Sequence, residues 1–164
     1  MRTIVTCLAT TLLTAAAIAQ QGGAQAVKTY SSASDVAALQ AKAKSDRKGD
    51  APLVVERILQ LPPYNANLEY RATVGPASVH EKEAEFFYVI DGSATMVTGG
   101  KLMNESRTNA ENLTGSGIEG GMSRSVAKGD FIVVPENTPH WFSSINGSIT
   151  LMSLHAPRTG GGTR

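Results

Sequence analysis

His140 follows Thr138-Pro139 near the end of the run Gly129-Asp130-Phe131-Ile132-Val133-Val134-Pro135-Glu136-Asn137-Thr138-Pro139-His140-Trp141-Phe142, where a proline turn hands over to a new strand. An earlier run, His80-Glu81-Lys82-Glu83-Ala84-Glu85-Phe86-Phe87-Tyr88-Val89-Ile90-Asp91-Gly92, supplies a second histidine and a carboxylate at the head of an apolar strand. Two imidazoles and one carboxylate carried on strands form the donor set of a divalent metal site with positions left for water or substrate. Iron(II), manganese, nickel, zinc and copper all suit such a set, so one divalent transition metal is expected and its identity stays open. Other chemistries lack their residues. There is no glycine-rich phosphate loop, no G-x-S-x-G elbow and no four-cysteine zinc site. The only cysteine is Cys7.

The elements that must position these side chains read as strands. Leu53 to Leu61 is rich in branched apolar residues and stops at Pro62-Pro63. Leu68, Tyr70, Ala72 and Val74 alternate with Glu69, Arg71 and Thr73, as on a half-buried strand. Phe86 to Ile90 ends at Asp91-Gly92, and His140 to Ile145 is followed by Asn146-Gly147 before Ser148 to His155. Both dipeptides are hairpin signals. Many short strands with turns between them predict an all-β sandwich or barrel. One helix is expected over residues 34 to 48, with Ser34 as its cap and Asp35 favouring its start. Between Thr98 and Gly121 the chain is polar and glycine-rich, which fits either a lid or a solvated insertion.

Strand parity then places the donors. Residues two apart share a face, so Ser78 goes with His80, Glu85 with Phe87 and Val89, and His140 with Phe142. Phe86, Tyr88 and Trp141 take the opposite face and are expected to pack between sheets or at a subunit interface. Glu81, Lys82 and Glu83 read as a solvated turn. Arg71 is either a partner for an acidic substrate or, as is commoner, a surface residue. His155 ends the last strand, either exposed or lining the pocket as a general base, since imidazole titrates near neutrality.

Residues 1–26 have the layout of a secretory leader. Arg2 precedes an apolar, uncharged run from Ile4 to Ala19, and cleavage after Ala19 or after Ala26 is acceptable. The run is short for a membrane span. Cys7 lies inside it, so the mature chain would hold no thiol, although a secreted or periplasmic location permits disulfides. Removing Arg2 leaves 14 basic and 14 acidic residues and no basic tract, so neither nucleic acid nor membrane is an expected partner of the mature protein. The expected organisation is leader 1–26, an arm with the helix over 27–52, a barrel over 53–157 and a disordered glycine-rich tail over 158–164.

The two histidine-bearing runs resemble the paired motifs of the cupin superfamily, which implies a jelly-roll β-barrel. In the first motif Glu85 is followed by six residues and Gly92, and His80 takes the second histidine position. In the second, Gly129, Pro135 and His140 match residue for residue, while Ser144 stands where asparagine is usual. Ser78 replaces the first histidine, and Ala72 stands at the leading glycine, with Gly75 nearby. A second register would make His80 the first histidine and Lys82 the next. It leaves two residues before Glu85 and puts a protonated amine where a ligand is needed. The resemblance spans roughly Leu53 to Pro157. It implies a metal bound by His80, Glu85 and His140, with Ser78 acting through a water. It also implies a small organic substrate or ligand, and a homodimer. The function it implies is a small metal-dependent enzyme, either a dioxygenase or an isomerase or lyase. The rival reading is a non-catalytic ligand-binding or sensing barrel, and a germin-like storage role is a third.

Overall fold

The computed structural model of the chain describes residues 26–157. All of the expected leader over 1–26 but its last residue, and the expected tail over 158–164, lie outside the described residues. Among the described residues one helix, α1 (Ala33–Asp46), precedes eleven strands. Its cap is Ser32 rather than Ser34. Ser32 Oγ accepts from the Asp35 N–H at 3.1 Å, and the Asp35 carboxylate accepts from the Ser32 N–H at 2.8 Å. Asp35 therefore closes a capping box as well as facing the helix dipole.

The strands are β1 (Val54–Leu61), β2 (Tyr64–Arg71), β3 (Ala77–His80), β4 (Glu83–Thr98), β5 (Lys101–Met103), β6 (Ser106–Arg107), β7 (Asn112–Gly115), β8 (Gly117–Glu119), β9 (Met122–Ala127), β10 (Phe131–Val134) and β11 (His140–Pro157). The expected all-β barrel with a short N-terminal helix is what forms.

Two expected hairpins do not form. Asp91-Gly92 and Asn146-Gly147 sit inside the long strands β4 and β11, which pair with each other from Glu83↔Pro157 to Thr98↔His140. Asp-Gly and Asn-Gly supply a positive φ, and that serves a bulge as well as a turn. Gly92 has φ +82° and Gly147 φ +73°. Between the pairs Ile145↔Ala94 and Ile149↔Gly92 the register jumps, so residues 146–148 stand against Ser93 alone. The bulge bends both strands together. In a straight strand Glu85 and Thr98 would lie about 43 Å apart. Yet His140, paired with Thr98, touches Glu85. The sheet has turned over on itself.

Each long strand thus serves two walls. The first half of β4 joins β10 and the second half of β11, which continues to β2 and β1. The second half of β4 joins β9 and the first half of β11, which meets β3, β7 and β6. Between the walls Phe87, Val89, Met96, Val126, Val134, Phe142, Ile149 and Leu151 form the core. A second cluster seats α1, through Ala43, on Ile58, Ala66 and Leu68.

That second cluster corrects the reading of β2. Its apolar face, with Leu68, meets the helix, and its polar face turns inward. Glu69 is buried and accepts from Ser153 Oγ at 2.8 Å. Arg71 donates to Glu69 from Nη2 at 2.7 Å and from Nε at 3.1 Å, and it lies over the Phe142 ring at 5.1 Å. Arg71 is therefore an interior residue whose charge is already paired, not a surface arginine. Alternation in the sequence marked two faces but not which of them the helix would cover.

Candidate metal centre

The corner geometry gathers all three histidines of the chain on one carboxylate. Glu85 opens the apolar part of β4 and shares its inward face with Phe87 and Val89; all three are buried. His140 Nε2 lies 3.0 Å and His80 Nε2 3.4 Å from Glu85 Oε2. His155 Nε2 lies 3.3 Å from Glu85 Oε1. The donor atoms of His80, Glu85 and His155 all fall within 4.8 Å of one another. The His80 ring stands 5.3 Å from that of His140 and 4.6 Å, edge-on, from that of His155.

Local structure explains each placement. His80 ends β3, and β4 begins three residues later, so a tight turn brings Glu85 back beside it. His140 starts β11 directly opposite Ser78 on β3. His155 pairs in register with Glu85 across the other wall. His155 is thus not an exposed strand end. Its side chain keeps 29% of its surface, and its ring joins the cluster. Ser78 flanks the same place from β3, but among the described residues no hydrogen bond ties its hydroxyl to the cluster.

The outer nitrogens bear on what the cluster could hold. His140 Nδ1 lies 3.2 Å from the Thr138 carbonyl oxygen. His80 Nδ1 lies 2.6 Å from Asn112 Oδ1. His155 Nδ1 lies 3.2 Å from Glu83 Oε2, near enough for an ion pair but off the line of a hydrogen bond. Each Nδ1 therefore faces an acceptor and is the natural seat of the ring proton. In the neutral rings that leaves three Nε2 lone pairs aimed at a carboxylate, an arrangement that repels itself unless a cation or added protons stand between. The donors present fit a divalent transition metal.

Without a metal, protons do this work. Burial pushes the Glu85 carboxyl up, but hydrogen bonds from His140, His155 and His80 outweigh it and hold the carboxyl far below its usual range. Burial pulls the His80 imidazole down, yet its bonds to Glu85 and Asn112 raise it overall. The bond to Glu85 raises His155 against its burial, with the charges of Glu85, Glu83 and Glu69 adding to it. A histidine raised on folding stabilises the fold at low pH and loses that contribution as pH rises through its folded value. The chelated protein should therefore melt at progressively lower temperature as pH rises from about 6 to about 8. The metal-loaded protein should show the opposite trend, because metal and protons compete for the same nitrogens. Differential scanning calorimetry with and without chelator checks both slopes.

Two contributors escaped the sequence reading, while His155, outside both motifs, was a candidate there as a general base and not as a ligand. Glu83 read as part of a solvated turn, yet it faces His155. Asn112 lay in the polar stretch 98–121, which is ordered: β5 pairs with β8, and β7 pairs with β3. Of the expected outward aromatics, Trp141 donates from Nε1 to the Gly75 carbonyl at 2.8 Å. Tyr88 packs on Phe131 with ring centroids 4.6 Å apart, and Phe86 is exposed.

A barrel of this topology with histidines and a glutamate at one end of its lumen defines a class, and the sequence agrees. The family model described as Cupin matches residues 56–157. The chain belongs to the cupin family. No curated protein matches it. Among solved structures it is similar to HppE in its iron(II) form, with 17% identity, 67% of this chain and 54% of HppE covered, and a TM-score of 0.50. The chain thus spans about half the length of HppE. KdgF from Halomonas sp. is similar at 17% identity, with 69% of this chain and 87% of that protein covered and a TM-score of 0.49. The hydroxypropylphosphonic acid epoxidase from S. wedmorenis gives 18%, 64%, 51% and 0.47 in the same order. At these identities the likeness bears on the fold alone.

Proposed function

We propose that this cupin binds one divalent transition metal through His80, Glu85, His140 and His155 and acts on a small organic molecule. The observation that carries the reading is the convergence of three Nε2 atoms on Glu85 while every Nδ1 faces an acceptor. His155 stands in for the motif histidine that Ser78 replaces, from the opposite wall. A metal held there would supply Lewis-acid polarisation of a substrate oxygen or, as iron, chemistry with dioxygen. The chain's own part is to hold that metal. Phe87 and Phe142, edge to face at 5.7 Å, pack in the core beside the cluster, with the Phe87 ring 6.3 Å from that of His140. Glu83 holds the Nδ1 side of His155. The Glu69–Arg71 pair fixes charge deeper in the same lumen.

Elemental analysis of the purified protein, beside His140→Ala and His155→Ala variants, tests this. Near-stoichiometric metal in the parent and its loss in both variants is the expected result. No metal after reconstitution would overturn the reading and leave a ligand-binding barrel. Dioxygen uptake would then separate an oxygenase from an isomerase or lyase.

We also infer export, from the leader layout of residues 1–26. A homodimer is inferred through the outer face of β10, where Phe131 and Val133 are exposed beside Phe86. Among the described residues β10 pairs only with β4, which leaves an apolar edge for a second copy to cover. A monomer by light scattering at high concentration would sink the dimer.

A further inference from the structure

The β6–β7 hairpin carries a relay to His80. Asn112 on β7 stands in register with His80 on β3. Its Nδ2 donates to Asn109 Oδ1 at 3.1 Å, and the same Asn109 oxygen accepts from the Glu111 backbone N–H at 2.9 Å. A backbone N–H can only donate, so the Asn109 atom it meets must be the carbonyl oxygen. The Asn112 atom facing that oxygen must then be its NH2 group, and the atom facing His80 Nδ1 at 2.6 Å must be its carbonyl oxygen. An amide oxygen has no hydrogen to give. His80 Nδ1 must carry the proton, and Nε2, turned toward Glu85, keeps its lone pair in the neutral ring. The chain of assignments starts at a peptide group and leaves no amide free to flip.

We propose that Asn112, oriented by Asn109, is a positioning residue that sets the tautomer of His80 and aims its Nε2 into the metal centre. The proposal rests on the metal-binding reading of the same cluster. Asn112-Leu113-Thr114 matches the pattern of a glycosylation acceptor, but its side chains are engaged within the fold. The Asn112 amide is committed on both sides, and Thr114 Oγ1 donates to the Ala77 carbonyl at 3.0 Å. The exposed Lys82–Glu111 and Arg107–Glu81 pairs link the hairpin to the turn between His80 and Glu85, but ion pairs so exposed contribute little by themselves.

The tests are Asn112→Leu, which removes the acceptor at similar volume, and Asn112→Asp, which keeps it. Long-range proton–nitrogen correlation spectra of the metal-free protein, recorded at a pH alkaline enough that the His80 ring is neutral, read the tautomer directly. His80 should carry its proton on Nδ1 in the parent and in Asn112→Asp. In Asn112→Leu the proton should shift toward Nε2, where it can donate to Glu85. Zinc affinity, measured by chelator competition, should fall about 10–100-fold in Asn112→Leu, the usual cost of losing an outer partner of a ligating histidine. Asn112→Asp should restore it. Should Asn112→Leu fail to fold, Asn109→Ala frees the Asn112 amide to turn and should mix the His80 tautomers. An Nε2 proton in the parent, or an unchanged tautomer and zinc affinity in Asn112→Leu, would overturn the proposal. Failure of the parent to bind zinc would instead overturn the metal reading, and the spectra would still decide the relay.

Discussion

Glu85→Gln is expected to lower divalent-metal affinity by well over about 100-fold, beyond the range typical of losing an outer partner. The side chain is nearly isosteric, so the loss would report charge and not shape. Glu85 is 3% exposed and is the one group that all three imidazoles approach. With a neutral amide in its place, the amide NH2 would meet ring nitrogens that should be free for the metal. A second readout separates this from general damage. In the metal-free parent, the raised His80 and His155 take their stabilisation from Glu85, so its loss should flatten the fall in melting temperature between about pH 6 and about pH 8. Glu85 itself, held low, stabilises the fold above its unfolded value and loses that as pH falls, so the variant should also be less sensitive to acid. Isothermal titration with zinc and melts across pH measure both. Retained affinity with an unchanged pH slope would remove Glu85 from the site.

Gly92→Ala should be the most damaging single methyl in the barrel. A Cβ there would stand 2.0 Å from the Ser148 carbonyl oxygen and 3.0 Å from Ile149 Cα, both backbone atoms of the bulge. The residue also has φ +82°. Left-handed backbone costs a non-glycine residue of order 1–3 kcal/mol, and forced overpacking adds about as much, so a loss of about 3–5 kcal/mol is expected. That is a large share of the roughly 5–15 kcal/mol that holds a domain together. Gly147→Ala is the control. It lies in the same bulge at φ +73° with open space around its Cβ position, and it should lose only the conformational part. Urea denaturation of the two variants gives the comparison. Equal losses would mean that the close approach at Gly92 is not what the corner requires.

Gly92 also shows how far a sequence can be read. Its spacing from Glu85 was legible as part of a family pattern, but its task was not. As half of Asp-Gly it signalled a hairpin, and nothing local distinguishes a glycine that reverses a chain from one that lets a carbonyl pass at a corner. The same holds for Asn146-Gly147. Glu69 and Arg71 alternate with apolar neighbours as a solvent-facing row would, and only the docking of α1 on Leu68 turned them inward.

Local chemistry determined much by itself. Apolar alternation and turn residues specified an all-β domain with one helix, because period and breakers act over a few residues. The resemblance of two runs to the cupin motifs picked out His80, Glu85 and His140 together, and strand parity placed each of them only within its own run. Which further side chains reach Glu85 was decided by tertiary structure. His155 is 70 residues from Glu85 and arrives through a cross-strand register, and Asn112 arrives through a hairpin laid beside β3. Register depends on bulges and on which wall each half-strand joins, and one residue of slip would turn either side chain away.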